Sequence, residues 1–247
     1  MNALKRNNPL KRLQTQVRRG GPLDVATLRS IGVSASHARN YVHSGWLRSL
    51  GRGVFAFPND SLERDACLKF LAQTVPGLHV AGKTALDWRG VRHNVAFREH
   101  LYLLGDDSKL LPEWFTSRFP CSYAARHLFS GELPKDFGLE PLEETPGGPL
   151  VSVRERALLE LLAEVGLSQG VEEARNIMEG LFTVRDDILE PLLRNCCRGK
   201  VLRLCAQWSD ELELSWAPLA RKALDATPHR GRWSARMRNG GTLVLKP

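Results

Sequence analysis

The sequence predicts an α+β protein in which an N-terminal winged helix-turn-helix domain precedes a mixed α/β C-terminal domain. Three observations carry that expectation. Residues 1–60 read as helix, helix, tight turn, polar helix and Arg-tipped hairpin. The same residues hold ten Lys and Arg against two Asp and Glu, whereas 61–218 hold 18 against 24 and 219–247 hold seven against one. Beyond them, short alternating stretches are mixed with longer stretches of helical period. The expected N-terminal winged-helix region spans 1–95, with its core at 8–60, and the C-terminal domain spans 96–247.

The elements follow in order. Leu10, Leu13 and Val17 fall at helical intervals, with Pro9 where a first turn tolerates it, and Gly20-Gly21-Pro22 ends that helix. Asp24 is placed to cap a short helix carrying Val25, Leu28 and Ile31, and Gly32 can take the left-handed conformation at its end. Ser34 is the next N-cap. The helix from Ala35 to about His43 puts Ala38, Tyr41 and Val42 on one face, with Tyr41 and the following Trp46 read as core. Trp46 to Leu50 alternates with period two, Gly51-Arg52-Gly53 can turn tightly, and Val54 to Phe57 returns as a strand, so the hairpin is a wing.

Farther along, Leu62 to Thr74 reads as a helix, Leu78-His79-Val80 as a short strand, Thr84 to Trp88 as a packing helix and Glu99 to Leu104 as a strand. The Pro- and Gly-rich stretch Glu143 to Pro149 is a connector. Ser152-Val153-Arg154-Glu155 has the form of a capping box before an amphipathic helix that Gly166 stops. Helices then run from Val171 to about Leu181, from Arg185 to about Cys197 after the cap candidate Thr183, and from Val201 to about Glu211, and the tail reads as strand, turn and closing strand Thr242–Leu245.

Composition narrows the function. The 247-residue chain carries a formal charge of +8 with 43% hydrophobic and 25% charged residues, enough to bury a core. No apolar run suits a membrane span and no apolar segment follows the basic N-terminus, so the expected location is the cytoplasm. The five Cys include no C-x-x-C pair, which argues against a disulfide framework and a zinc site and for reduced thiols. Basic ends around an acidic middle suit a polyanion at the N-terminal part, because clustered Lys and Arg release phosphate counterions.

The candidate DNA-reading residues are Ser36, His37, Arg39, Asn40 and His43 on the outer face of the polar helix, since Arg can pair with guanine and Asn with adenine in a major groove. Arg48 and Arg52 are expected at the wing tip, against phosphates or a minor groove. Lys11, Arg12, Arg18 and Arg19 are expected as supporting phosphate contacts.

No catalytic residue, metal ligand or cofactor is assigned, and the chain is expected not to be an enzyme. Gly77-Leu78-His79-Val80-Ala81-Gly82-Lys83-Thr84 matches the pattern of a phosphate-binding loop. A helix precedes its first Gly where a buried strand is required, and no later strand ends in a suitable Asp, so nucleotide binding is not expected. Glu155, Glu160 and Glu164 read as solvated carboxylates of a surface helix. Asp210, Glu211 and Glu213 lack the nearby Lys of a nuclease site, and Cys196-Cys197 reads as helix core.

Tyr41-Val42-His43-Ser44-Gly45-Trp46-Leu47-Arg48-Ser49-Leu50-Gly51-Arg52-Gly53-Val54-Phe55 resembles the winged helix of AbiEi-type antitoxins, the autoregulators of type IV toxin–antitoxin operons. Val80-Ala81-Gly82-Lys83-Thr84-Ala85-Leu86 is similar to that family's V-G-G-K-T-A-L element, followed by Gly90-Val91-Arg92-His93. Ser152 to Leu162 resembles its S-x-x-E-R-A-L-L-E-L-L helix, and Leu192 to Cys196 with Lys200 to Leu204 its L-L-x-x-C and K-V-x-R-L pair. Phe55, Ala81 and Asn94 depart from the commoner residues. The resemblance implies repression of its own operon, through operator DNA bearing inverted repeats, and counteraction of a nucleotidyltransferase-like toxin that needs the C-terminal domain, with direct toxin contact left open. The other reading of the residues is a stand-alone winged-helix regulator whose C-terminal domain senses a ligand or dimerises.

Overall fold

The computed structural model of the chain describes residues 9–91, 99–227, 233–236 and 241–245. Arg92-His93 of the resemblance and the turn expected after Arg236 lie outside the described residues. The contacts form two compact units, residues 1–74 with 110–119 and residues 75–109 with 120–247. Residues 75–91 supply a strand and a helix to the second unit, while 110–119 gives its aromatic side chains to the first.

The first unit runs α1 (Pro9–Gln16), β1 (Leu23–Asp24), α2 (Val25–Ser30), α3 (Ala35–His43), β2 (Arg48–Gly51), β3 (Val54–Ala56) and α4 (Arg64–Ala72). Local signals set the helix ends. Asp24 Oδ1 accepts from the Thr27 amide at 2.7 Å, and that bond holds the Asp24 carboxyl below its ordinary value. Gly32, at φ +82°, turns the chain between α2 and α3, where a Cβ would press on the Arg12 guanidinium. Ser34 Oγ then accepts from the His37 amide at 3.2 Å. β3 lies between β1 and β2, antiparallel to both, with Arg48 opposite Ala56 and a register shift between Ser49 and Gly51. Leu13, Leu28, Val33, Ala38, Leu47 and Phe55 make the core under these elements.

The second unit begins with β4 (His79–Val80), α5 (Gly82–Trp88) and β5 (Leu101–Gly105). The chain then contributes α6 (Glu113–Thr116) to the first unit and continues through β6 (Cys121–Ala125), β7 (Leu139–Glu140), β8 (Val151–Ser152) and α7 (Arg154–Glu164). Helices α8 (Val171–Glu179), α9 (Asp186–Arg194), α10 (Gly199–Glu211) and α11 (Ala217–Asp225) precede the hairpin of β9 (Trp233–Arg236) and β10 (Thr242–Leu245). A five-stranded sheet has the order β6-β5-β4-β8-β7, with β5/β6 and β4/β8 parallel and the other pairs antiparallel.

Helix α7 corrects the expectation of an amphipathic surface helix, because Glu155, Glu160 and Glu164 are all buried together with its leucines. Each carboxylate has an arginine partner, on α7 itself for Glu160 and from elsewhere in the unit for the other two. Arg185 pairs with Glu155 at 3.2 Å, Arg126 with Glu164 at 2.8 Å, and Arg156 and His79 both donate to Glu160 Oε1, at 2.9 and 3.1 Å. Glu160 Oε2 accepts from the Gly82 amide at 3.0 Å and from Ser152 Oγ at 2.8 Å. The capping box therefore does not form: Val153 is the N-cap of α7, and the Ser152 hydroxyl serves Glu160. The cap candidate Thr183 is likewise replaced by Arg185, whose amide donates to Glu155 at 2.8 Å.

The same bonds explain the false phosphate-loop pattern. At the N-terminus of α5 the Gly82 amide is already held by an internal carboxylate, and a Cβ at Gly82 would crowd the Tyr102 ring at 3.1 Å. Lys83 is paired with Glu173, and Thr84 Oγ1 bridges the backbone of His100 and Tyr102. The expected Cys196-Cys197 core is half correct. Cys196 is buried and Cys197 is exposed, because α9 stops at Arg194 before reaching them.

Burial opposes ionisation of Glu160, but His79 and Arg156 outweigh it and hold its carboxyl at about 2, down from 4.5. A depressed carboxyl stabilises the fold above its unfolded value, and that contribution is lost as pH falls through the folded one. Glu160→Gln is therefore expected to cost about 3–5 kcal/mol at neutral pH, as for other broken buried pairs. Urea unfolding from pH 7 downward should show the gap to the parent chain narrowing as the pH falls from 4.5 toward 2.

Candidate nucleic-acid interface

The sequence of α3 separates its two faces. Ala38 is buried and Tyr41 and Val42 pack against the core, which turns Ser36, His37, Arg39, Asn40 and His43 outward, all exposed. The structure thus brings those five candidates onto one solvent face of the second helix of the helix-turn-helix. Some are organised by neighbours. Ser36 Oγ lies 2.8 Å from the capping Ser34 Oγ, and the His37 ring stacks on Tyr41 with centroids 6.4 Å apart. Among the described residues no hydrogen bond or ion pair holds the side chains of Arg39, Asn40 or His43. Donors and acceptors so arranged can meet base edges or phosphates.

Arg52 stands exposed at the wing tip, between Gly51 and Gly53. Arg48 does not. It starts β2, at the far end of the hairpin from the turn, and its guanidinium donates to the carbonyls of Phe57 and Asp60, both at 3.3 Å. The strand alternates toward that side, so Arg48 closes the base of the wing instead of extending its tip.

The other basic candidates divide in the same way. Lys11 is exposed on α1, whereas Arg12 is half-buried with its guanidinium against the Gly32 turn. Arg18 pairs with Glu63 at 3.5 Å. Arg19 pairs with Asp60 at 2.9 Å and lies over the Phe57 ring, 4.3 Å from its centroid. Asp60 Oδ2 also accepts from the Gly20 amide at 3.0 Å, so this cluster fastens the end of α1 to the segment after the wing. Sequence reasoning passes over two exposed residues here. Arg29 lies on the last turn of α2, where its place beside the helix-turn-helix turn is the available signal. Trp46, expected in the core, is 46% exposed and edges a hollow of about 180 Å³ with Leu10, Leu13, Phe57 and Pro58.

In the second unit a cleft of about 560 Å³ is lined by Trp88, Arg89, Glu143, Arg154, Glu155 and Arg185 among others. Its arginines serve the fold. Arg89 donates to the Ser152 carbonyl at 2.7 Å, Arg154 to the Arg89 carbonyl at 2.7 Å, and Arg185 to Glu155. Ser152, Glu160 and His79 do not form a nucleophile site, because the carboxylate lies between the hydroxyl and the imidazole and Ser152 is fully buried. Among the described residues no three His, Cys, Asp or Glu side chains are grouped to hold a metal ion. Asp210 pairs with Arg221 and Glu211 with Arg175. No helix among the described residues is long and apolar enough to cross a membrane.

A helix-turn-helix with a polar outer helix, followed by an Arg-tipped hairpin, defines a winged helix-turn-helix module, here joined to a mixed α/β unit. Two family models span the chain: the transcriptional regulator AbiEi antitoxin N-terminal domain over residues 6–97, and the transcriptional regulator AbiEi antitoxin of type IV toxin–antitoxin systems over residues 98–242. The chain belongs to this family of AbiEi antitoxin regulators, which is not a family of enzymes. The fold is similar to the crystal structure of the RV2827C protein from Mycobacterium tuberculosis, with a TM-score of 0.55 and 15% identity over 88% of this chain and 79% of that one. No curated protein sequence matches the chain.

Removing the Arg48 side chain should leave two carbonyls at the base of the wing without their donor. Arg48→Ala is expected to lower stability by about 1 kcal/mol, read as a lower urea midpoint with an unchanged slope.

Proposed function

We propose that the first unit binds operator DNA upstream of its own operon and represses it, and that the C-terminal part counteracts a nucleotidyltransferase-like toxin encoded with it. The observation that carries the DNA reading is the outer face of α3, where Ser36, His37, Arg39, Asn40 and His43 are exposed together beside a buried Ala38. In this reading α3 enters the major groove, Arg39 and Asn40 supply the bidentate pairs with bases, and Arg52 meets the backbone. Lys11 and Arg29 add phosphate contacts. Arg18 and Arg19, already paired with carboxylates, add less. Arg48 supports the wing and acts on DNA only through it. Family membership supports the two-part role of regulator and antitoxin.

A second reading, a regulator whose C-terminal part senses a small ligand, is favoured by the cleft of about 560 Å³, which falls within the roughly 300–1,000 Å³ of ligand pockets. Co-expression with the neighbouring nucleotidyltransferase gene separates the two. Rescue of growth by the full chain supports the antitoxin reading, and failure of rescue favours the sensor.

The DNA reading is tested with a duplex of the chain's own upstream region. Each bidentate contact is worth about 1–3 kcal/mol of discrimination, so combined Arg39→Ala, Asn40→Ala and Arg52→Ala should reduce specific binding to the level seen with unrelated DNA. The parent chain should bind less tightly as salt rises. Unchanged binding by the triple variant would place the interface elsewhere.

A further inference from the structure

The wing turn is short and rich in glycine, and nothing in its own strands fixes the direction of Arg52. β2 has four residues, β3 has three, and the register shifts between Ser49 and Gly51 just before the turn. Two side chains from outside the hairpin lie beside its glycines. Val25 of α2 lies against Gly53, with Cγ2 3.5 Å from where a Cβ would stand, and Trp114 of α6 lies against Gly51, with Cδ1 at 3.7 Å on the same measure. An added Cβ at either glycine would stand at ordinary van der Waals distance from these side chains, so each glycine flanking Arg52 has one of them as its neighbour.

Trp114 reaches this place through a segment that interrupts the second unit between β5 and β6. That segment is well anchored in the first unit. Phe115 is fully buried, its ring 5.3 Å from that of Phe119, and Trp114 meets Phe70 of α4 edge-on at 6.2 Å. Arg118 donates to Ser61 Oγ at 2.7 Å. The indole beside the wing has aromatic neighbours on two sides, Phe70 and, edge-on at 6.0 Å, Phe115.

We propose that Trp114 is a positioning residue for DNA recognition: standing beside Gly51, it limits the movement of the wing so that Arg52 meets the DNA backbone while α3 occupies the groove. The proposal rests on the DNA-reading function above. It makes residues 110–119 part of the reading head, although more than forty residues of sequence separate Trp114 from the end of α4 at residue 72.

The test uses the full chain and a duplex of its own upstream region, with affinity measured across a salt series. One lost phosphate contact lowers the slope of log K against log salt by about 0.9. Trp114→Ala and Arg52→Ala should each produce that change, the double variant should lose no more than either alone, and Trp114→Phe should restore the parent slope. Trp114→Leu keeps apolar bulk but not the reach to Gly51, and should behave as Trp114→Ala while retaining the parent's circular dichroism. Amide exchange at residues 51–54, without DNA, should rise in the Leu variant. Losses that add in the double variant, or a parent slope in both Trp114→Ala and Trp114→Leu beside a reduced slope in Arg52→Ala, would overturn the positioning role alone. A parent slope in Arg52→Ala would overturn the wing's place in DNA reading and the positioning role with it.

Discussion

Four donors converge on the buried carboxylate of Glu160: His79 from β4, the amide of Gly82 at the start of α5, Ser152 from β8, and Arg156 one turn earlier on its own helix. The adjacent central strands β4 and β8 and the two helices packed against them are thereby joined at one side chain. A carboxylate with this many donors remains ionised in the interior, and its removal would leave a cation and several donors unmatched where water cannot replace it. The second unit depends on this arrangement more than on any single apolar contact. It also explains why two stretches of sequence that resemble functional motifs have structural duties. Gly82 of the phosphate-loop pattern and Ser152, Arg156 and Glu160 of the second stretch are parts of one internal network, while Lys83 pairs with Glu173 and Glu155 with Arg185.

The first unit is built on a different constraint. Its caps and turns are local, set by Asp24, Gly32 and Ser34, and they shape the turn between α2 and α3 from within the segment itself. Its charge is then sorted by position. Arg12, Arg18, Arg19 and Arg48 are drawn into contacts with the Gly32 turn, Glu63, Asp60 and two carbonyls. Arg39, Asn40, His43 and Arg52 face solvent. The basic sixty residues therefore contain both the scaffold and the exposed face proposed to read DNA, and composition alone cannot divide one from the other.

What was legible in the sequence follows the range of the interactions. The helices, the turn and the hairpin of the head were readable because a cap or a glycine lies within a few residues of each boundary. The outward set on α3 was readable because helical period and a single buried alanine decide it. The direction of Arg48 was not, since its acceptors, the carbonyls of Phe57 and Asp60, belong to irregular backbone whose course no local pattern announces. The burial of α7 was hidden for a related reason. Glu155, Glu160 and Glu164 look like a solvated row until Arg185, His79 and Arg126 are brought to them from distant segments. Helix α6 was missed because it is a single turn, and its burial depends on Phe70 in α4.

The central claim is that the outer face of α3 reads base edges. The most direct measurement is a double-mutant cycle between Asn40→Ala and single base-pair changes across the upstream operator, at fixed salt. If that face reads base edges, the protein and DNA changes are coupled by about 1–3 kcal/mol at one A·T position, with uncoupled losses elsewhere. Additive losses at every position in cycles with both Asn40 and Arg39 would contradict it, leaving the helix with backbone contacts alone.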